Sequence, residues 1–273
     1  MFENRGRFNL ADGQIYFEVA GDGEPVVFLH GFGLDLRMWE PQFRALRNDF
    51  RLIRYDLRGF GRSSLPPAGP YAHEDDLNSL LTHLKALPAH VVGLSMGGRM
   101  ALRFAASYPA SIRSLVLADT ALDGFSWSAD WQARWNRICE AARAGRIEEA
   151  KMQWLEHPLL ATTRCDPHAW SLLEQLVRDY SGWHWHNADT ARVPAPPLAA
   201  RLGAIHTPTL VVTGAKDLPD FQSLAEFLTG KLPKGRRRVI EKAGHMVNLE
   251  TPDEFNAAMM EFWHSLETGE PAS

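Results

Sequence analysis

Short apolar runs alternate with amphipathic stretches along the first 120 residues of the chain. Alternating or continuously apolar runs of β-branched and aromatic residues are typical of strands, whereas apolar positions three or four apart are typical of helices. The pattern predicts strands at residues 14–20, 26–29, 51–55, 89–94 and 114–118, and helices at residues 36–46, 73–87 and 96–108. Strands that alternate with helices predict a mainly parallel sheet that is covered on both faces.

The pattern changes between residues 121 and 197, where helical stretches continue but no buried strand is recognisable. A proline-rich run at residues 193–197 closes this region like a linker. The first pattern then resumes, with strands predicted at residues 209–213 and 237–241 and helices at 220–229 and 253–266. We therefore predict one α/β core, formed by residues 1–120 and 198–273, that is interrupted by a helical cap at residues 121–197.

Composition narrows the possible partners. The 273 residues are 45% hydrophobic and 23% charged, which is ordinary for a globular protein with a large core. A net charge of −4 is spread along the chain and favours neither a polyanion nor a membrane surface as partner. The basic cluster at residues 231–238 lies between a predicted helix and strand, so we interpret it as a solvated connection and expect no nucleic-acid binding.

The N-terminal residues lack the apolar core of a secretory signal, and no apolar run reaches the length of a membrane span. We therefore expect a cytoplasmic protein. Cys139 and Cys165 lack the spacing of a zinc site and are expected to be buried thiols. His184 and His186 form a His-x-His pair without a convincing third ligand, so we predict neither a metal nor a cofactor.

Chemically capable side chains fall directly after predicted strands. Ser95 follows the strand at residues 89–94, Asp217 comes shortly after residues 209–213, and His245 follows residues 237–241. Ligands gather at the carboxyl ends of the strands in open parallel sheets. The three side chains are therefore expected to meet at one edge of the sheet.

Several motifs at these positions resemble the α/β-hydrolase superfamily, and the resemblance covers nearly the whole chain. Residues 93–97, Gly-Leu-Ser-Met-Gly, look like its nucleophile elbow, and the order Ser, Asp, His agrees with the order of its triad. Residues 30–33 (His-Gly-Phe-Gly), residues 55–64 and the Gly-His pair at 244–245 match as well. The resemblance implies an eight-stranded, mainly parallel sheet with helices on both faces and a helical cap insertion.

The residue types suit acyl transfer. A serine hydroxyl is a poor nucleophile at neutral pH, and a histidine with a pKa near 6.5 can accept its proton. We assign Ser95 as nucleophile and His245 as base, with Asp217 as the carboxylate that orients the imidazole. Asp119, after the strand at residues 114–118, is the stronger rival for the acid, and Asp220 the weaker.

The resemblance also implies an oxyanion hole that is made by the backbone N–H groups of Phe32 and Met96. We expect some of the aromatic residues near the cap to contact substrate, with these candidates: Phe32, Phe125, Trp127, Trp154, Trp183 and Trp185. Trp127, Trp131 and Trp135 share one helical face, and such a stripe usually packs a lid on itself or on the body. An aromatic roof would exclude water and favour an apolar group.

These features predict a serine hydrolase that cleaves small carboxylic esters or lactones with an apolar side through an acyl-enzyme, as a monomer or homodimer. Three alternatives stay open. The first is a carbon–carbon bond hydrolase of the meta-cleavage type, and the second is a lyase that eliminates pyruvate. The third is a ligand receptor or signalling protein that retains the triad.

Overall fold

An eight-stranded β-sheet forms the centre of the computed structural model, which describes residues 4–269. The outermost parts of the predicted core, residues 1–3 and 270–273, lie outside this range. The strands are β1 (Asn4–Leu10), β2 (Gly13–Ala20), β3 (Pro25–Leu29), β4 (Arg51–Tyr55), β5 (Ala89–Leu94), β6 (Ile112–Ala118), β7 (Thr209–Gly214) and β8 (Gly235–Ile240). The predicted mainly parallel sheet of eight strands is confirmed.

The strand order is β1-β2-β4-β3-β5-β6-β7-β8. Strand β2 runs antiparallel to β1 and β4, and every later pairing is parallel. The register places Leu29 of β3 beside Gly93 of β5, and Ala118 of β6 beside Leu94 and Val212. The carboxyl ends of β3, β5, β6 and β7 therefore lie side by side along one edge.

The local pattern did not predict β1 as a strand. It pairs with β2 through a tight hairpin in which Leu10 lies opposite Gly13. Every residue of β1 is exposed or half-buried, because the strand lies at the edge of the sheet and carries Arg5 and Arg7. Charged residues on an edge strand oppose edge-to-edge aggregation, but they also weaken the apolar signal that identifies a strand.

Ten helices accompany the sheet within residues 4–269. In chain order they are α1 (Glu40–Leu46), α2 (His73–His83), α3 (Met96–Ser107), α4 (Ala129–Arg143), α5 (Ile147–Leu155), α6 (Pro167–Asp179), α7 (Trp183–His186), α8 (Pro219–Lys231), α9 (Val247–Glu250) and α10 (Pro252–Thr268). Helix α3 packs on β3, β5 and β6, whereas α8 and α10 pack on β7 and β8. Residues 121–197, called the helical segment below, contain α4 to α7 and no strand.

Two predicted helices are shorter in the structure. The stretch at residues 36–46 is a 3₁₀ turn (Leu36–Trp39) followed by α1, because Pro41 lacks an N–H and is tolerated only in the first turn of a helix. Helix α2 ends at His83 rather than at residue 87. Lys85 adopts a positive φ of 52°, and Leu87 precedes a proline, which disfavours helical backbone.

The two cysteines differ in burial: Cys139 is buried and Cys165 is exposed. The expectation of two buried thiols is therefore wrong for Cys165, which lies in a 3₁₀ turn at the surface (Thr163–Cys165). Within residues 4–269, none of the helices combines the length and the apolar character that crossing a membrane requires.

Candidate active site

Ser95 occupies a sharp turn between β5 and α3. Its backbone has φ 54° and ψ −113°, outside the regions that a side chain normally favours, and such conformations cost about 1–3 kcal/mol. The turn is possible because the residues two positions before and two positions after Ser95 are glycines. A Cβ on Gly93 would lie 2.4 Å from the carbonyl oxygen of Gly97, and a Cβ on Gly97 would lie 2.1 Å from that of Leu29. The glycines therefore allow the backbone to hold Ser95 at the sheet edge.

His245 and Asp217 form a hydrogen-bonded pair beside this turn. The Nδ1 atom of His245 lies 2.8 Å from Oδ2 of Asp217, and both side chains are almost fully buried. The other carboxylate oxygen, Oδ1, accepts the backbone N–H of Leu218 at 2.6 Å. These contacts fix the carboxylate and orient the imidazole through Nδ1. The other ring nitrogen, Nε2, is then available for proton transfer.

Ser95 and His245 line one small cavity of about 20 Å³ between the sheet edge and the helical segment. Gly31 and Phe32 from the loop after β3 line it as well. The structure therefore brings the predicted nucleophile and base to the same space.

Asp119 lies directly after β6 and is 1% exposed. Its Oδ1 accepts the backbone N–H of Gly214 at 3.1 Å, and its carboxylate lies within 4.8 Å of that of Asp217. Burial, together with the neighbouring charge of Asp217, holds the pKa of Asp119 well above its ordinary value. Asp119 therefore lies beside Asp217 as a carboxyl group whose neutral form is favoured, whereas Asp217 is the carboxylate in contact with Nδ1 of His245.

The rival acid Asp220 has a different surrounding. Its two carboxylate oxygens accept the backbone N–H and the hydroxyl of Ser128, at 2.8 and 2.7 Å. Asp220 therefore links α8 to the helical segment.

The ligand atoms of Asp119, Asp217 and His245 all lie within 4.8 Å of one another, a spacing that a metal ion could also use. The hydrogen bond between His245 and Asp217, and the bond from the backbone N–H of Gly214 to Asp119, already hold these side chains in place. His184 of the His-x-His pair bonds to the hydroxyl of Tyr180 at 3.0 Å, and His186 is exposed.

The two residues expected to supply oxyanion donors lie beside Ser95, the predicted nucleophile. Met96 is the first residue of α3, and the first N–H groups of a helix have no partner within the helix. Phe32 lies in the loop after β3 and lines the same cavities as Ser95. An N–H that is unpaired in a helix and lies beside a nucleophile is available to a negatively charged oxygen.

His30 holds the Phe32 loop in position. Its Nδ1 lies 2.8 Å from the carbonyl oxygen of Gly31, and its Nε2 accepts the backbone N–H of Leu57 at 3.0 Å. This pattern requires a neutral ring with the proton on Nδ1. Burial lowers the pKa of His30 to about 4, so the ring stays neutral at pH 7 and connects two loops.

A larger cavity of about 380 Å³ opens next to Ser95. Aromatic side chains dominate its lining, which comprises Phe32, Ser95, Met96, Arg99, Ala121, Trp127, Trp131, Gln132, Trp135, Asn136, Trp154 and Phe221. Three of the aromatic residues predicted to contact substrate, Phe32, Trp127 and Trp154, are in this lining. Trp131 and Trp135, which are predicted to share a helical face with Trp127, line this cavity too. The aromatic stripe therefore contacts the cavity in addition to packing against other side chains.

The other three predicted aromatic residues are not in the lining. Trp185 is fully buried and packs behind Phe32 and Trp154. Phe125 contacts the edge of Trp127, and Trp183 packs against His184. Sequence reasoning did not select Phe221, whose ring is tilted against that of Trp127 and lies 4.4 Å, centroid to centroid, from the ring of His245. Its position in the first turn of α8, four residues after Asp217, is the signal that could have identified it.

Comparison with known proteins places this geometry in a family. A profile described as the alpha/beta hydrolase fold matches residues 24–252. The chain belongs to the alpha/beta hydrolase fold family. The predicted resemblance and fold class are therefore confirmed, and the turn at Ser95 occurs at the strand–helix junction where this family has its elbow.

Relatives of this alpha/beta hydrolase fold protein include enzymes that act on esters and lactones. It is 28% identical to 3-oxoadipate enol-lactonase 1 of Acinetobacter baylyi, over 84% of this chain and 85% of the relative. A thermophilic esterase from Thermogutta terrifontis superimposes with a TM-score of 0.79 at 27% identity, over 96% of this chain and 98% of the esterase. A hydrolase from Pseudomonas aeruginosa PA01 has the same TM-score at 28% identity, with 96% and 98% covered.

Proposed function

We propose that this protein is a serine hydrolase that cleaves small carboxylic esters or lactones through an acyl-enzyme. The observation that carries the proposal is the hydrogen bond of 2.8 Å between His245 and Asp217 beside a cavity that Ser95 also lines. An oriented imidazole next to a serine in a strained elbow is the arrangement that activates a hydroxyl nucleophile. The esterase and enol-lactonase names of the relatives support the bond type.

In the first half of the reaction, Oγ of Ser95 attacks the carbonyl carbon while Nε2 of His245 takes the hydroxyl proton. The carbonyl oxygen becomes an oxyanion, which accepts hydrogen bonds from the backbone N–H groups of Phe32 and Met96. When the intermediate collapses, the bond between the carbonyl carbon and the leaving oxygen breaks. His245 gives its proton to that oxygen, so an alcohol leaves and Ser95 carries the acyl group.

In the second half, His245 takes a proton from a water molecule, whose oxygen attacks the acyl carbon. The ester bond to Ser95 breaks, and the proton returns to its Oγ. In a lactone the released hydroxyl and carboxyl groups remain in one molecule. No step requires a redox cofactor.

Asp217 is the proposed orienting acid because its carboxylate bonds to Nδ1 of His245. Asp119 is assigned a supporting role, since its Oδ1 accepts the backbone N–H of Gly214 and burial beside Asp217 raises its pKa. The carboxylate of Asp217 stabilises the imidazolium that forms during attack and fixes which nitrogen faces Ser95.

The helical segment is proposed to act as a cap over the sheet edge, with the core formed by residues before 121 and after 197. Trp127, Trp131 and Trp135 of α4 and its preceding loop line the cavity next to Ser95. Aromatic walls exclude water and favour an apolar part of the substrate.

A substrate panel tests the proposed function. The purified protein is assayed against aryl esters, lactones and diketone ring-cleavage products, with Ser95→Ala as the blank. We expect a burst followed by steady release of nitrophenol from short-chain nitrophenyl esters. Turnover of diketones alone would instead support a carbon–carbon hydrolase, and a single binding event without turnover would support a receptor. Either outcome would overturn the proposal.

A further inference from the structure

Arg99 is the only basic side chain in the lining of the 380 Å³ cavity beside the nucleophile. It lies one turn after Ser95, and its backbone N–H donates to the carbonyl oxygen of Ser95 at 3.1 Å. At a rise of 1.5 Å per residue, the two Cα atoms are about 6 Å apart along the helix. Helical side chains lean towards the N-terminus, so the Arg99 stem leans towards Ser95.

The guanidinium of Arg99 is incompletely paired. Asp123 is the nearest carboxylate, but Arg103 occupies both of its oxygens, through Nε at 2.6 Å and Nη2 at 2.7 Å. The closest approach of Arg99 to Asp123 is 3.9 Å, which is beyond hydrogen-bond distance. Within residues 4–269, the buried Nε of Arg99 has no hydrogen-bond partner.

The surroundings make this incompletely paired charge costly. Burial is the largest influence on Arg99 and lowers its pKa from the usual value, although an arginine keeps its charge at pH 7. Half of the residues that line the neighbouring cavity are aromatic, with Trp131 and Trp135 among them. About 35% of the Arg99 side chain is nevertheless accessible. An accessible cation in a poorly hydrated wall interacts strongly with an anion that enters the cavity.

We propose that Arg99 binds a carboxylate of the substrate, so that the preferred substrates are esters or lactones that carry a carboxylate a few bonds from the scissile carbonyl. This inference rests on the proposed function and specifies its substrate class. A planar guanidinium matches a carboxylate through two parallel hydrogen bonds, which gives orientation as well as affinity. The aromatic walls contact the apolar atoms between the carboxylate and the carbonyl.

Matched pairs of esters test the proposal, because the two members of each pair differ in charge. Mono-4-nitrophenyl glutarate is compared with 4-nitrophenyl pentanoate, which places the carboxylate on the acyl side. A second pair, 4-carboxyphenyl butanoate and phenyl butanoate, places it on the alcohol side. We expect one anionic ester to exceed its neutral partner in kcat/KM by roughly ten- to hundredfold, as for a hydrogen bond to a charged group.

The variant Arg99→Met removes the charge and keeps most of the apolar stem. In this variant we expect the ratio of anionic to neutral kcat/KM to fall to about one, and Arg99→Lys to restore part of it. Arg44→Met removes an exposed arginine of α1, whose side chain is 77% exposed, and should keep the wild-type ratio. If neither anionic ester is preferred, or if Arg99→Met leaves the preference unchanged, the proposal is wrong.

A binding measurement separates this proposal from the proposed function. Mono-4-nitrophenyl glutarate and 4-carboxyphenyl butanoate are titrated calorimetrically into Ser95→Ala and into the double variant Ser95→Ala/Arg99→Met. We expect the Kd of the better ligand to rise by roughly ten- to hundredfold in the double variant. Binding that depends on Arg99 would support the carboxylate site even if wild-type protein hydrolysed no ester. Equal affinities would overturn it even if ester hydrolysis were rapid.

Discussion

The sheet edge and the helical segment contribute to the same site in different ways. At the sheet edge, backbone geometry determines position: Ser95 is held in a strained turn, and strand register brings the ends of β5, β6 and β7 together. In the helical segment, side chains determine the shape, since Trp127 stacks on Trp131 and Trp135 meets the edge of Phe32. The proposed chemistry therefore depends on backbone placement, and the shape of the cavity depends on aromatic packing.

The two regions should also respond differently to substitution. A group at the sheet edge that takes part in bond making cannot be replaced by a neighbour. An aromatic wall shares its contacts among several rings, so the loss of one ring leaves others in place.

Ser95→Ala should produce the largest effect. Without its Oγ no acyl-enzyme forms, and kcat for ester hydrolysis is expected to fall by about 10⁶-fold, as when the nucleophile of a comparable triad is removed. Steady-state kinetics with a nitrophenyl ester measure the loss, and circular dichroism checks that the fold persists. Near wild-type turnover in this variant would contradict the role of the sheet edge.

Asp217→Asn and Asp119→Asn form the next comparison. Asn at position 217 disturbs the orientation of the imidazole and cannot stabilise its positive charge, so kcat should fall by about 10⁴-fold. Asn at position 119 keeps an acceptor for the backbone N–H of Gly214 and places no charge beside Asp217, so we expect less than about a tenfold loss. The same ester assay ranks the two variants, and the reverse ranking would make Asp119 the orienting acid.

Trp131→Ala should have a smaller effect. Removing one ring from the wall should lower kcat/KM for aryl esters by about tenfold, mainly through KM, because an aromatic pair contributes about 0.5–1.5 kcal/mol. Trp170→Ala is the matched control, since Trp170 lies in α6 and outside the cavity lining. If Trp131→Ala lowered kcat alone, and by as much as Asp217→Asn does, the sheet edge and the helical segment would not differ in this way.

The last expected effect concerns stability rather than rate, and it is the pH dependence of unfolding at His157 in the helical segment. Burial lowers the pKa of His157 to about 4, and its Nδ1 accepts the N–H of Leu159 at 3.1 Å. Between pH 6.5 and 4 the unfolded chain therefore binds more protons at this site than the folded chain. His157 should lower the free energy of unfolding as the pH falls through this window, by at most about 3 kcal/mol.

Urea denaturation at several pH values measures this dependence. His157→Asn keeps an acceptor for Leu159 and removes the titration, so the variant should lose less stability than the wild type between pH 6.5 and 4. His264→Asn, at an exposed position of α10, should retain the wild-type dependence. Identical slopes in His157→Asn and the wild type would show that His157 contributes nothing to the acid sensitivity.

The same contrast explains what could be predicted from the sequence. Ser95, Asp217 and His245 were identifiable because each follows an apolar strand, and the glycines around Ser95 reveal a tight turn. The strand β1 was missed because an exposed edge strand does not need a strong apolar pattern.

Cavity residues were harder to predict because lining depends on how elements pack. The spacing of Trp131 and Trp135 indicates one helical face but does not indicate whether that face meets protein or a cavity. Phe221 comes from α8 and Trp154 from α5, elements that are distant in sequence and meet only in the fold. The significance of Arg99 for the cavity depends on Arg103 already occupying Asp123, which only the folded structure reveals.

The central claim, that Ser95 carries an acyl group during turnover, is tested most directly by mass spectrometry of the acyl-enzyme. The protein is mixed briefly with 4-nitrophenyl acetate, quenched in acid, digested and analysed, with Ser95→Ala treated in parallel. We predict one acetyl group on the peptide that contains Ser95 and none on the corresponding peptide of the variant. Steady ester turnover with no label on Ser95, or with the label on another residue, would contradict the account.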